Sequence, residues 1–148
     1  MPEQNFFITG ANSGLGFAIA RAALDAGHRA IGAVRSETAR ASLLERLPDA
    51  RVVLCDVTAF DRIPAIVAQA EEDHGPVDVL INNAGYGHEG VLEESPLEEM
   101  RHQFDVNVFG AVAVAKAFLP HFRERRRGFI VNVTSMGGLI TMPGIAYY

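Results

Sequence analysis

The chain has 148 residues, of which 49% are hydrophobic and 21% are charged, a length and composition typical of one globular domain. Its net charge of −5 disfavours binding to nucleic acid and to anionic membranes. The N-terminus lacks the basic-then-apolar order of a signal peptide, the single cysteine excludes an internal disulfide, and the histidines lack metal-ligand spacing. We therefore expect one cytoplasmic domain over residues 1–148, without a metal site.

The most informative stretch is a short apolar run from Asn5 to Ile8, followed by Gly10, Gly14 and Gly16 and then by a helical pattern. It predicts a buried strand, a tight turn and a helix packed closely on the sheet. The free amides at the start of that helix favour an anion, so the stretch predicts a pyrophosphate site. The glycine spacing differs from the generic dinucleotide fingerprint, and a glycine turn without a ligand is an equally good reading of this stretch alone.

Four further segments have the character of strands, and helical patterns separate them. These segments span residues 28–34, 51–55, 77–81 and 128–135. Strands that alternate with helices form parallel sheets through right-handed crossovers. The sequence therefore predicts an α/β fold: a doubly wound, Rossmann-type parallel sheet of five strands in the order 3-2-1-4-5, with helices on both faces.

The end of the second strand bears on the choice of cofactor. In dinucleotide folds an acidic residue there holds the ribose hydroxyls, whereas an arginine accommodates a 2′-phosphate. Here Val34 is followed by Arg35, and no carboxylate occurs before Glu37. Arg35 therefore favours NADP over NAD, and an ordinary surface arginine is the alternative.

Two later segments carry polar residues of interest. Ser95 and Pro96 form a helix-start signal, with Ser95 expected as the N-cap and Pro96 at the first helical position. Asn107 is a weak helix former within the pattern that follows, which indicates a purpose for its side chain or local backbone, a tolerated polar residue being the alternative. Ser135 falls at the carboxyl end of the last strand, where ligands lie in open parallel sheets.

Together these residues resemble the short-chain dehydrogenase/reductase family of nicotinamide-dependent oxidoreductases. The resemblance covers essentially the whole chain and rests on motifs in family order: Thr9-Gly10-x-x-x-Gly14-x-Gly16, Asp56-Val57, Asn82-Asn83-Ala84-Gly85, Asn107, Ser135, and Tyr148 thirteen residues after that serine. It implies an enzyme that interconverts a carbonyl and an alcohol by hydride transfer. NADP(H) is the expected cofactor, with NAD as the alternative.

The resemblance also implies a role for each motif. The glycine loop would hold the cofactor pyrophosphate, and Asp56 would touch the adenine. Ser135 would orient the substrate carbonyl, Tyr148 would act as general acid or base, and Asn107 would anchor a water-linked proton relay. The residues expected to bind the cofactor are Thr9, Gly10, Asn12, Ser13, Gly14, Leu15, Gly16, Arg35, Asp56, Val57, Asn83, Ala84 and Gly85.

In this family a lysine four residues after the tyrosine supplies a cation, because an unperturbed tyrosine pKa of about 10 is far from neutral. The sequence ends at Tyr148, so we expect a C-terminally incomplete domain that keeps the nucleotide site and shows little catalysis alone. Tyr147 is a second candidate, and the spacing from Ser135 favours Tyr148. A non-catalytic nucleotide-binding or interaction module is the alternative function. The family further implies a small carbonyl or alcohol substrate and a homodimer or homotetramer.

Overall fold

The computed structural model describes residues 2–140 and 142–148, in which strands and helices alternate. In chain order the main elements are β1 (Asn5–Thr9), α1 (Gly14–Asp25), β2 (Arg29–Val34), α2 (Glu37–Arg46), β3 (Arg51–Leu54), α3 (Ile63–His74), β4 (Val79–Asn82), α4 (Leu97–Phe104), α5 (Ala111–Arg125) and β5 (Phe129–Asn132). A π-helical turn (Asp105–Gly110) joins α4 to α5, and short 3-10 turns occur at Phe60–Arg62 and Met136–Gly138.

The five strands form one parallel sheet in the order β3-β2-β1-β4-β5, which confirms the expected topology. The central strand is β1, where Phe7 pairs with Ile31 of β2 on one side and with Leu80 of β4 on the other. All three side chains are fully buried. The carboxyl ends of β1, β2 and β4 therefore meet at one edge of the sheet, the edge at which ligands bind in such folds.

Helices cover both faces of the sheet because successive residues of β1 point to opposite sides. Phe7 packs in one core with residues of α3 and α5, and its ring meets that of Phe118 edge-on at 4.9 Å. Ile8 packs in the other core with Phe17 of α1 and Leu43 of α2. The alternation of apolar side chains in one strand thus anchors two helical layers.

The start of α4 differs from the expectation. Its first residue is Leu97, and Pro96 occupies the N-cap position. The Ser95 hydroxyl donates instead to the Val91 carbonyl at 2.8 Å, so the prediction of Ser95 as the cap was wrong. The Ser95 hydroxyl oxygen also lies 3.0 Å from Nε2 of His88, so the serine bonds within the preceding loop and does not cap α4.

No helix in the described part of the chain combines the length and the apolar character needed to cross a membrane.

Candidate functional site

The loop between β1 and α1 presents backbone donors. Gly10 and Gly14 have φ values of 67° and 53°, a left-handed conformation that favours glycine. Ser13 precedes α1 but makes no side-chain cap, and the first turn of the helix contains no acidic residue. A Cβ atom added to Gly14 would have no heavy atom within 4 Å. The Gly10 amide donates to the Ala33 carbonyl at 2.9 Å, whereas the amides at the start of α1 have no side-chain cap and can bind an anion.

A cleft of about 730 Å³ adjoins this loop. Among the residues expected to bind a cofactor, those that line it are Gly10, Asn12, Ser13, Gly14, Leu15, Arg35, Asp56, Val57, Asn83, Ala84 and Gly85. They come from loops that follow β1, β2, β3 and β4. The structure therefore gathers at one edge of the sheet residues that are scattered along the first part of the sequence.

Thr9 and Gly16, also expected to bind the cofactor, lie behind the wall of the cleft. The Thr9 hydroxyl oxygen accepts from the backbone amides of Asn83 at 3.0 Å and Ala84 at 2.9 Å. A side chain on Gly16 would collide with the Gly10 carbonyl oxygen, which would lie 2.5 Å from the added Cβ. Both residues therefore fix the shape of the cleft through the groups that line it.

Two charged residues of the cleft, Asp56 and Arg35, differ in whether the protein supplies a polar partner for the charge. One Asp56 carboxylate oxygen accepts from the backbone amide and the hydroxyl of Thr58 at 2.9 and 2.8 Å. The amide of Thr58 is the main cause that lowers the pKa of Asp56, and the charges of Arg35 and His102 add to it against the opposing effect of burial. Within the described residues Arg35 makes no ion pair. Its guanidinium is therefore open to an anionic ligand.

Cys55 also borders the cleft, but it does not provide a reactive thiol. The side chain is buried, and burial, followed by the charge of Asp56, raises its pKa to about 11. A thiol with so high a pKa is protonated at neutral pH and is a poor nucleophile.

A second pocket of about 450 Å³ lies next to the cleft and shares the wall formed by residues 83–86. Asn107, Ser135 and Tyr148, the expected catalytic residues, all line it. The Ser135 hydroxyl oxygen accepts from the backbone amide of Gly137 at 3.0 Å, which orients the serine at the start of a 3-10 turn. Residues from three separate parts of the chain thus meet in this pocket.

The two neighbouring tyrosines have different environments. Tyr148 is 44% exposed, and its ring lies between Gly87 and Gly137. Tyr147 is only 8% exposed, its hydroxyl donates to the Ser95 carbonyl, and its ring stacks on His88. The Tyr147 hydroxyl is therefore occupied by the protein itself, whereas the Tyr148 side chain faces the pocket.

Asn107 lies in the π-helical turn between α4 and α5. Its side-chain oxygen accepts from the Tyr86 amide at 3.0 Å, and its side-chain nitrogen donates to the Tyr86 carbonyl at 2.7 Å. The side chain therefore acts as a two-bond clamp on the segment that divides the two cavities. π-helical turns are frequent at functional sites, and the weak helix propensity of Asn107 was the signal for it in the sequence.

The sequence interpretation missed several residues of the site. Thr58, Glu99 and His102 line the cleft, and Tyr86 lines both cavities. The Tyr86 hydroxyl is buried without a hydrogen-bond partner among the described residues, and burial, followed by the charge of Glu99, raises its pKa. The position of Thr58 two residues after Asp56 is typical of an Asx turn and could have revealed its role.

The described residues contain no cluster of three or more histidine, cysteine or acidic side chains arranged to hold a metal.

Comparisons with known proteins agree with this geometry. A family model described as short chain dehydrogenase matches residues 4–148. The 3-ketodihydrosphingosine reductase of Bacteroides thetaiotaomicron is 38% identical over 148 residues, which are 100% of this chain and 53% of that protein. The chain spans about half the length of the curated relatives it matches.

Two solved structures have the same fold. A short-chain dehydrogenase from Streptomyces avermitilis gives a TM-score of 0.89 at 39% identity, covering 99% of this chain and 55% of that one. A variant of actinorhodin polyketide ketoreductase with NADPH gives a TM-score of 0.92 at 35% identity, covering 99% and 58%.

Proposed function

Because the chain belongs to the short-chain dehydrogenase family, we propose that the protein is an NADP(H)-dependent oxidoreductase that interconverts a carbonyl and an alcohol. One observation carries the proposal: the cleft and the second pocket share the wall formed by residues 83–86. A dinucleotide held in the cleft would thus end beside a pocket that contains Ser135 and Tyr148. Such a continuous site suits a reaction between a cofactor and a small molecule.

The residues of the cleft fit a nicotinamide dinucleotide. The uncapped start of α1 offers backbone donors for the pyrophosphate, and the open side of Gly14 lets it approach the backbone. Arg35 borders the same cleft without an ion pair among the described residues, and it would hold a 2′-phosphate by charge-assisted hydrogen bonds. The polyketide ketoreductase structure with NADPH supports this choice.

The chemistry then divides between cofactor and protein. A bound nicotinamide supplies or accepts the hydride. In the direction of reduction Tyr148 donates a proton to the carbonyl oxygen, and in the direction of oxidation it accepts one from the alcohol. The Ser135 hydroxyl donates a hydrogen bond to the same oxygen, while its own oxygen is held by the Gly137 amide at 3.0 Å. Asn107, which lines the same pocket, is the residue that we propose to anchor a water-linked proton relay.

A binding and turnover experiment tests this function. NADPH and NADH are titrated separately into the gene product that carries this chain, and a panel of ketones, quinones and secondary alcohols is then screened by cofactor absorbance. We expect tighter binding of NADPH and turnover of at least one carbonyl class. Binding without turnover across the panel would favour a nucleotide-binding module, and failure to bind either nucleotide would overturn the proposal.

We also infer that the protein forms a homodimer or homotetramer through α4, the π-helical turn and α5. Phe104, Val108 and Val112 of this stretch are partly exposed apolar side chains, and such patches mark association surfaces. Phe118, on the later part of α5, is buried in the core. Light scattering should show two or four copies, and a monomer at assay concentration would contradict the inference.

A further inference from the structure

Gln103 is a buried polar residue that joins two backbone segments around the second pocket. Its side chain is 3% exposed on α4. The side-chain oxygen accepts from the backbone amide of His88 at 2.6 Å, and the side-chain nitrogen donates to the Tyr147 carbonyl at 2.6 Å. Both hydrogen-bonding ends of one carboxamide are thus used, one on each segment.

The first of these segments forms a wall against the ring of Tyr148. Asn107 clamps the backbone of Tyr86, and Gln103 holds the amide of His88. Gly87 lies between these two fixed residues, and a Cβ added to it would lie 3.2 Å from the Tyr148 ring. The position of this wall therefore depends on two carboxamides, four residues apart, on the same side of one helical stretch.

The second segment carries Tyr148 itself. Gln103 holds the carbonyl of Tyr147, which belongs to the peptide unit that leads directly into Tyr148. We propose that Gln103 is a positioning residue that determines where the Tyr148 hydroxyl lies in the pocket. The consequence of this position for catalysis rests on the proposed function. Gln103 borders the second pocket but not the cofactor cleft, and both ends of its carboxamide are bonded to the backbone on either side of the tyrosine ring.

Other bonds keep the two segments together when Gln103 is changed. The Gly90 amide donates to the Gly144 carbonyl at 2.7 Å, and the Tyr147 hydroxyl donates to the Ser95 carbonyl. Replacing Gln103 by leucine would therefore leave one amide and one carbonyl without partners and shift the tyrosine, while the segments remain packed.

Gln103→Glu gives a test that can be reversed by pH. A protonated glutamic acid has the shape of glutamine, with an oxygen to accept from His88 and a hydroxyl to donate to Tyr147. The ionised form has no proton for the Tyr147 carbonyl, so that contact becomes repulsive. Other titratable groups near this site are the His88 imidazole, which stacks on Tyr147, and Glu99, whose carboxylate lies 3.7 Å from His88. Tyr86 and His102, whose rings lie 5.7 Å apart, are two more. Unmodified protein must therefore be measured at every pH.

The readout is the NMR signal of tyrosine labelled with ¹³C at Cζ in the gene product that carries the chain. The Tyr148 signal is identified by its absence from the Tyr148→Phe spectrum. We expect Gln103→Leu to move this signal at all pH values and Gln103→Glu to move it at high pH and restore it at low pH. Gln69→Glu, an exposed substitution on α3, is the matched control and should leave it unchanged. An unmoved Tyr148 signal in both Gln103 variants would overturn the proposal.

Kinetics separates this proposal from the proposed function. If both hold, Gln103→Leu lowers kcat about tenfold to hundredfold, as expected for a misplaced catalytic group, and leaves the Kd of NADPH unchanged. Equal turnover by unmodified protein and Tyr148→Phe would refute the proposed role of Tyr148, and the NMR signal would still decide whether Gln103 positions that side chain. Equal loss of NADPH affinity and kcat in Gln103→Leu would indicate general disruption and contradict a positioning role.

Discussion

The nucleotide cleft and the second pocket are built in different ways. The cleft consists of loops that directly follow strands, so neighbouring residues such as Gly10 and Ser13 act together. The second pocket depends on side chains of a helical stretch that hold distant backbone: Asn107 bonds to Tyr86, and Gln103 bonds to Tyr147 across 44 residues. The first is assembled from short motifs at strand ends that the sheet brings together, whereas the second depends on side chains of a helical stretch that bond to distant backbone.

The N-termini of α1 and α2 differ in whether a side chain caps the helix. Ser36 precedes α2 and accepts from the Ala39 amide at 3.2 Å, and Glu37 lies in the first turn. Ser13 precedes α1 and caps nothing. Because α2 has one amide bonded to its cap and an acidic residue in its first turn, α1 rather than α2 retains the donors and the positive dipole end that favour an anion.

The largest effect is expected from Tyr148→Phe, which removes the proposed acid and base from the second pocket only. Loss of a general acid or base lowers kcat by about 10² to 10⁴, and the Kd of NADPH should not change. Steady-state kinetics and fluorescence titration measure the two quantities. Tyr147→Phe is the control, since its hydroxyl bonds to the Ser95 carbonyl. A greater loss of kcat in the control would assign the chemistry to Tyr147.

Gly137→Ala should displace the tyrosine without removing it. The added Cβ would lie 2.6 Å from two atoms of the Tyr148 ring, so the ring must shift. A shift of the order of 1 Å in a reacting group costs about a hundredfold in rate. Gly138→Ala is the matched control, because a Cβ there meets nothing within 4 Å. Equal rates for the two variants would show that the ring position has no influence on turnover.

Arg35→Asp should alter the cleft and leave the second pocket intact. Loss of charge-assisted hydrogen bonds to the 2′-phosphate weakens NADPH binding by about tenfold to hundredfold, and the new carboxylate should make NADH the preferred cofactor. Titration of both nucleotides measures this reversal. Arg40→Asp changes the charge equally on α2, where Arg40 pairs with Glu37 at 3.7 Å. If both variants weaken NADPH equally, the effect is one of overall charge.

The smallest effect on nucleotide binding is expected from Thr9→Val, which keeps the shape of the side chain. It leaves the partly buried amides of Asn83 and Ala84 without their acceptor, which costs about 1 kcal/mol of folding free energy for each lost hydrogen bond. Denaturant unfolding measures the loss. The exposed substitution Thr38→Val is its control. NADPH affinity reduced more than in Arg35→Asp would indicate that Thr9 contacts the nucleotide directly.

The sequence was sufficient for the fold and for the location of the cleft because both follow from local patterns. The apolar run around Phe7 and the three following glycines indicate a buried strand and a ligand loop, and the sheet order confirms the topology. Hydrogen bonds between residues far apart in the sequence could not be predicted in this way. Gln103 looks like any polar residue on a helix until His88 and Tyr147 are brought against it.

Two local expectations met competing interactions. Ser95 has the residue type and spacing of a cap, yet its hydroxyl donates to the Val91 carbonyl in the preceding loop. The helix therefore begins without a side-chain cap. Asn107 was correctly singled out as unusual in a helix, but its clamp on Tyr86 could not be read from the sequence because the partner lies 21 residues away. The role of Ser135 in orienting the substrate carbonyl and the roles of Tyr148 and Asn107 in proton transfer remain predictions.

A crystal structure of the gene product with NADP⁺ would test the central claim most directly, namely that one dinucleotide spans both cavities. We expect the 2′-phosphate within hydrogen-bond distance of Arg35, the pyrophosphate at the start of α1, and the nicotinamide beside the wall of residues 83–86, facing Tyr148. A nucleotide bound with its phosphates away from the glycine loop, or with its nicotinamide outside the second pocket, would show that the two cavities do not form one site.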